Sequence, residues 1–147
     1  MMSVVNRVGR LAEVRYVPPL KHDELVNFMG EVRRLVEAAP EPLLFVCDWR
    51  AIDEFDSSFA DTIVWIMRRD NPRIAANAML VRTAKLEAQA ERIVADASNP
   101  RRRVFVDESA LAGWIDPQLT VEERERRKQF LAEGPRGSSM SMPAVRG

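Results

Sequence analysis

Hydrophobic and polar positions repeat with two different periods along the chain. Residues 1–17 alternate between apolar, valine-rich positions and polar ones and break at Gly9, which predicts two short strands that end before a pair of prolines. The continuous apolar run at 43–47 is typical of a central parallel strand that is covered on both faces. Between these segments, apolar side chains recur three and four residues apart, which predicts an amphipathic helix with Leu25, Phe28, Met29, Val32, Leu35 and Val36 on its buried face.

The second half of the pattern begins with three residues that favour helix starts, Asp56, Ser57 and Ser58. The segment after them, which includes Trp65, is more apolar than the first helix and predicts a deeply packed helix that ends near Pro72. Beyond it, the pattern predicts a strand at 78–81, a helix at 83–97 capped by Thr83, a strand at 104–106 and a brief helix that starts at Asp107.

Strands and helices therefore alternate from residue 19 to residue 115, with short linkers between them. This order is typical of an α/β sandwich in which helices pack on a mainly parallel central sheet of about four or five strands. Residues 1–116 are predicted to form that domain.

An extra helix and a tail are predicted after this domain. Thr120 and Glu123 have the spacing of a capping box, which opens a highly charged helix within 117–133. Its few apolar residues predict contact with the domain only at its ends, and its charges suit polar pairing with a neighbouring copy, so a homodimer is one hypothesis. Residues 134–147 are rich in Gly, Ser, Pro and Met without periodicity, which predicts a disordered tail.

Composition and charge argue against several classes of function. The 22 basic residues balance the 22 acidic ones, so no net field draws the chain to nucleic acid. His22 and Cys47 are the only histidine and cysteine, too few for a zinc site or an internal disulfide, and a lone cysteine favours the reducing cytoplasm. The six glycines do not form a phosphate-binding motif. No apolar run approaches the roughly 20 residues of a membrane span, so we expect no span, no metal and no cofactor.

Three residues at or after the end of the central strand are candidates for function. Asp48 stands where α/β sheets place ligand groups, so it is either a structural loop cap or the phosphoacceptor of a receiver-type site, which requires a divalent metal. Trp49 and Phe55 lie in the polar connection that follows. They are either exposed anchors for a partner protein or rings that fold over the core.

One segment also resembles a known family in sequence. The run Leu43-Leu44-Phe45-Val46-Cys47-Asp48, followed by Phe55-Asp56-Ser57-Ser58 and an apolar helix, is similar to the STAS domain of sulphate transporters and anti-sigma-factor antagonists, which has a strand, a loop and an Asp-Ser-Ser-Gly helix start. The order of the predicted elements resembles the family over about 110 of the 147 residues. The resemblance implies a STAS-like sandwich.

The resemblance also implies roles for the residues at this helix start. In the antagonists the serine before the glycine accepts phosphate from a partner kinase, and the unphosphorylated protein binds that kinase; the matching residue here is Ser58. Phe59 replaces the glycine, so a bulky ring is expected beside the hydroxyl, where it blocks a kinase or serves as a different anchor. The predicted partner-binding residues are Trp49, Phe55, Asp56, Ser57 and Phe59. A simpler interpretation of Asp-Ser-Ser before an apolar helix is a helix cap.

These observations lead to one main hypothesis and two alternatives. The main hypothesis is a non-enzymatic, cytoplasmic signalling module that binds a protein partner, either a kinase-like anti-sigma regulator or a second copy, and is switched by phosphorylation of Ser58. The first alternative is a small-ligand or lipid-binding protein of the same fold, or a self-associating scaffold. The second is a phosphotransfer or receiver protein built around Asp48.

Overall fold

The computed structural model of the chain describes residues 1–134, so of the predicted disordered tail only Gly134 lies within the described residues. The strands are β1 (Met2–Val8), β2 (Leu11–Tyr16), β3 (Leu43–Asp48), β4 (Ile74–Leu80) and β5 (Arg102–Phe105). The α-helices are α1 (His22–Ala38), α2 (Ser57–Asp70), α3 (Ala84–Ala97), α4 (Glu108–Ile115) and α5 (Val121–Glu133). None of these helices combines the length and the hydropathy that crossing a membrane requires.

The five strands form one mixed, mostly parallel sheet in the order β1-β2-β3-β4-β5. β1 and β2 are antiparallel across a turn at Gly9, whose φ of +53° favours glycine. The other neighbouring strands are parallel, and the helices that connect them, α1, α2 and α3, all pack on one face of the sheet. α4 and α5 cover the opposite face. The predicted α/β class with a mainly parallel sheet is therefore confirmed.

β3 shows why a continuous apolar run suits a central strand. Successive side chains of a strand point to opposite faces of the sheet. Leu43, Phe45 and Cys47 therefore belong to the core beneath α1, α2 and α3, and Leu44 and Val46 belong to the core beneath α4 and α5. All six residues of β3 are buried, as its sequence predicts.

Two strands begin earlier than the sequence pattern predicts. β4 starts at Ile74, and Ala76 and Asn77 pair with β3 although neither residue type is a strong strand former. β5 starts at Arg102, where it pairs with Asn77. Neighbouring strands recruit these residues into the sheet, so their own propensities do not decide the outcome.

The prediction of a deeply packed α2 does not hold at Trp65. Its side chain is 55% exposed, and the Arg69 guanidinium lies over its ring at 5.4 Å from the centroid. Ile63, Ile66 and Met67 face the core instead. An α-helix resting on a sheet buries one stripe only, so an apolar residue outside that stripe remains exposed.

The prediction that α5 contacts the domain only at its ends is also wrong. Phe130 and Leu131 are buried, as are Glu123 and Arg127, but Val121 is 70% exposed. The Arg126 guanidinium donates hydrogen bonds to both carboxylate oxygens of a glutamate on β2 at 2.9 Å. Charged side chains therefore hold α5 against the sheet along its length. Glu123, Arg126 and Arg127 are engaged within this chain, and the homodimer stays a prediction.

Candidate functional site

The candidate site is the start of α2, at the carboxyl end of the parallel strands. Asp56 is the N-cap, and its Oδ1 accepts hydrogen bonds from the Phe59 N–H at 2.8 Å and from the Ser58 hydroxyl at 3.0 Å. The first of these bonds, followed by the second, lowers the pKa of Asp56 below its ordinary value. The predicted cap is thus Asp56, and Ser57 and Ser58 are the first two helical residues.

The Ser58 hydroxyl is exposed and lies next to the start of a second helix. Its Oγ is 3.3 Å from Nε2 of His22, the first residue of α1, and that nitrogen lies 3.9 Å from Oδ2 of Asp56. The sequence alone assigns no role to His22, and 36 residues separate it from the serine. Only the topology, which brings the ends of β2 and β3 together, places the two helix starts side by side.

Phe59 does not cover this hydroxyl, contrary to the prediction. Its side chain is 2% exposed and points into the core, where its ring stacks on Phe55 at 5.5 Å with an interplanar angle of 6°. The Phe59 ring also contacts the His22 ring, with 5.7 Å between the ring centroids. Phe59 therefore packs beneath the start of α2 and leaves the Ser58 hydroxyl exposed.

Trp49 and Phe55 are not exposed anchors either. They are 1% and 3% exposed and pack with Tyr16 in one aromatic cluster, Trp49 stacked on its ring and Phe55 edge-on. Gln89 of α3 fixes the backbone of Phe55, accepting from its N–H at 2.9 Å and donating to its carbonyl at 2.7 Å. Of the predicted contact residues, only Asp56 and Ser57 are exposed. The rings of Trp49, Phe55 and Phe59 are buried in the core beneath them.

A surface cleft of about 520 Å³ lies beside this helix start. Pro18, Leu20, Ile52 and the edges of the aromatic cluster form its apolar walls, and Asp53, Glu54 and Asp56 line it as well. Asp53 pairs with Arg82 at 3.2 Å and Glu54 with Lys85 at 3.0 Å. The surface next to Ser58 therefore combines apolar and charged groups, a composition that suits contact with another protein.

Asp48 is buried, which argues against its role as an accessible phosphoacceptor. Its side chain is 0% exposed, and its oxygens accept from Arg15 at 3.2 Å and from Arg50 at 2.9 Å and 3.0 Å. The hydrogen bond to Asp48 raises the pKa of Arg50 above its ordinary value. Lys85, the first lysine after β4, pairs with Glu54 and not with Asp48. Among residues 1–134, no three His, Cys, Asp or Glu side chains are grouped in a way that could hold a metal ion.

Comparison with known proteins adds no identification. Neither the family models nor the curated proteins searched include a match to this chain.

Proposed function

We propose that this chain is a non-enzymatic regulatory module of STAS type that binds a protein partner and is switched by phosphorylation of Ser58. The observation that carries the proposal is the exposed Ser58 hydroxyl at the start of α2. This helix start packs on the aromatic cluster, and Gln89 binds the backbone just before it. The motif at 55–58 supports the same assignment, and the buried, free thiol of Cys47 is consistent with a reducing cytoplasm.

Phosphate at Ser58 would change this surface strongly. The modification adds about −1.5 to −2 charges at a helix N-terminus, where free N–H groups and the helix dipole favour an anion. It also removes the proton that Ser58 donates to Asp56 and places the new charge beside that carboxylate. The Asp56 carboxylate and the phosphate then compete for the same backbone N–H groups at the start of α2. The phosphorylated surface therefore differs from the unmodified one in both charge and shape.

The contact surface in this proposal consists of Asp56, Ser57, Ser58 and His22, with the neighbouring cleft. The resemblance favours a kinase-like anti-sigma regulator as the partner, and a second copy of the chain is the other candidate. A lipid carrier is not favoured, because the internal cavity between the sheet and the helices has a volume of about 50 Å³. A cavity of about 150 Å³ holds a single benzene molecule, so this volume is too small for a lipid chain.

The test combines the modification with partner binding. We would isolate the protein from its native cells, map phosphate by peptide mass analysis, and identify the proteins that co-purify with wild type, Ser58→Ala, Ser58→Glu and Ser57→Ala. We expect phosphate on Ser58 and a specific partner that binds wild type and Ser58→Ala but not Ser58→Glu. Ser57→Ala removes an exposed hydroxyl from the same contact surface without adding charge, so it should weaken binding far less than Ser58→Glu.

Two results would contradict the proposal. One is an unmodified Ser58 in cells together with a partner that binds Ser58→Glu as tightly as wild type. The other is equal loss of binding in Ser57→Ala and Ser58→Glu, which would indicate a general disturbance of the helix start. Self-association alone, unaffected by either variant, would favour the scaffold alternative.

A further inference from the structure

An internal cavity of about 50 Å³ lies between the sheet and the helices α1 and α2, away from Ser58. Most of its walls are apolar and come from residues such as Val32, Phe45 and Ile66. Its volume exceeds the roughly 10–15 Å³ that one water molecule requires, so it has room for a few atoms. Polar side chains from three adjacent strands also reach it, which is unusual for a core of this kind.

One of these side chains is the buried guanidinium of Arg102, which is 5% exposed. Its Nε donates to Asn71 Oδ1 at 3.0 Å, and its Nη2 donates to the Met67 carbonyl at 3.1 Å. Both acceptors are neutral, and none of the ion pairs within residues 1–134 includes Arg102. Burial lowers the pKa of Arg102 to about 10, and the negative charge of Asp70 offsets only part of that effect.

The neighbouring polar groups provide donors to the cavity. Asn77 lies beside Arg102 in the register of β4 and β5, and its Oδ1 already accepts from the Cys47 thiol at 3.4 Å. Burial raises the pKa of Cys47 to about 12, so the thiol keeps its proton. The amide hydrogens of Asn77 are then its contribution to the cavity. Trp49, which lines the same cavity, has an indole N–H with no hydrogen-bond partner within the described residues.

The one carboxylate that lines the cavity is already neutralised. Asp70 accepts from Arg33 at 3.1 Å and from Arg69 at 2.9 Å and 2.8 Å. Two guanidinium groups other than Arg102 therefore share its charge. The polar part of the lining has an excess of donors and of positive charge, and its acceptors are Asp70, Asn77 Oδ1 and the Tyr16 hydroxyl.

We propose that this cavity binds a small monovalent anion, held by the Arg102 guanidinium and the Asn77 amide. The volume restricts the ligand to a few atoms, and the single uncompensated cation favours a single negative charge. Because the walls are mostly apolar and the anion must lose its water on entry, weakly hydrated anions such as bromide, iodide and nitrate should bind better than fluoride. Sulfate is too large and too strongly hydrated.

Two measurements test this site, and neither depends on the function of Ser58. Crystals of the full chain soaked in bromide should show an anomalous peak inside the cavity beside Arg102. In solution, Trp65→Phe with Trp114→Phe leaves Trp49 as the only tryptophan. Iodide added at constant ionic strength should then quench its fluorescence along a saturable curve, whereas collisional quenching of a buried ring by free iodide is weak and linear.

The variant Asn77→Asp tests the site further. Its carboxylate lies next to Arg102 and takes the place of the bound anion. We expect it to fold and to weaken iodide binding by about tenfold or more, the value of a hydrogen bond to a charged group. Asn27→Asp is the control, since it adds the same charge at an exposed position of α1. It should leave iodide binding unchanged.

The proposal fails if bromide occupies only surface positions, or if an ordered water fills the cavity and bromide does not displace it. It also fails if iodide quenching is linear in the single-tryptophan protein, or if Asn77→Asp and Asn27→Asp bind iodide equally. The bromide soak uses wild type, so the test holds even if Asn77→Asp does not fold.

Discussion

The two faces of the sheet are covered by different physical means. Beneath α1, α2 and α3 lies a large apolar core that includes an aromatic cluster around Tyr16. Beneath α4 and α5 the apolar core is smaller, and ion pairs join α5 to the sheet. Glu13 of β2, with a side chain 1% exposed, pairs there with Arg126 at 2.9 Å and with Arg7 at 2.7 Å.

The α5 face also uses arginines to hold the end of the helix. Arg15 donates to the Phe130 carbonyl, and Arg50 donates to the Leu131 carbonyl at 2.7 Å. Asp48, buried between the two arginines, orients both of them. The Phe130 carbonyl also accepts from the Gly134 N–H at 3.3 Å. The Leu131 carbonyl lies in the last turn, where carbonyls lack partners within the helix, so the bond from Arg50 satisfies a group that would otherwise need water.

The start of α2 and the end of α5 are therefore held by different kinds of contact. The α2 start rests on the apolar face, where burial of large rings provides stability in proportion to area. The opposite face depends on matched charges, whose net contribution is smaller because each charge first loses its water. Changes on the first face should therefore have the larger effect on folding.

The largest effect is expected for Phe59→Ala, which removes a buried ring from the floor of the site. We expect a loss of about 3–5 kcal/mol in the free energy of unfolding, as for other buried Phe to Ala changes. Urea denaturation would measure it. Val26→Ala, at a position 63% exposed, is the control and should change stability by less than about 0.5 kcal/mol. Similar losses in both variants would refute the assignment of this face as the main source of stability.

A smaller and more local effect is expected for Arg126→Met on the opposite face. The change leaves the buried carboxylate of Glu13 with Arg7 as its remaining partner, at a cost of about 1–3 kcal/mol. Hydrogen exchange should show the loss mainly in α5. Arg124→Met is the matched control, because its guanidinium donates to a carbonyl on the exposed surface. Unchanged protection of α5 in Arg126→Met would show that the ion pairs do not hold this helix.

The smallest effect is expected for the pH dependence of the α2 cap. The pKa of Asp56 is lower in the folded protein than in the unfolded chain, so its contribution is complete above the unfolded value and is lost as pH falls through the folded value. Amide protection at Phe59 should therefore decrease in acid, below about pH 4. Asp56→Asn keeps a capping oxygen without the titration and should remove this step. Asp53→Asn, which alters an exposed carboxylate outside the cap, should retain it.

The local pattern of the sequence predicted most elements and their ends. Periodicity indicated α1 and β3, and the caps at Thr83, Asp107 and Thr120 mark the starts of α3, α4 and α5 as expected. These features depend on residues three or four positions apart, because a cap binds N–H groups of the next turn. For this reason they can be predicted without knowledge of the fold.

The surroundings of each side chain could not be predicted in the same way. In β2, Glu13 and Arg15 alternate with Val14 as in a strand with one face in water, yet α5 covers that face. The sequence likewise indicated a candidate serine but not its neighbour His22, nor the burial of the three rings beneath it.

Sequence alone determined the α/β class, the order of elements and the helix start that carries Ser58. Tertiary structure alone decided which aromatic rings are exposed, which charges are paired and which residues surround the serine. The physical reason is that periodicity and capping act over a few residues along the chain. Burial and ion pairing instead depend on distant segments, such as Glu13 and Arg126, which only the packed sheet and helices bring together.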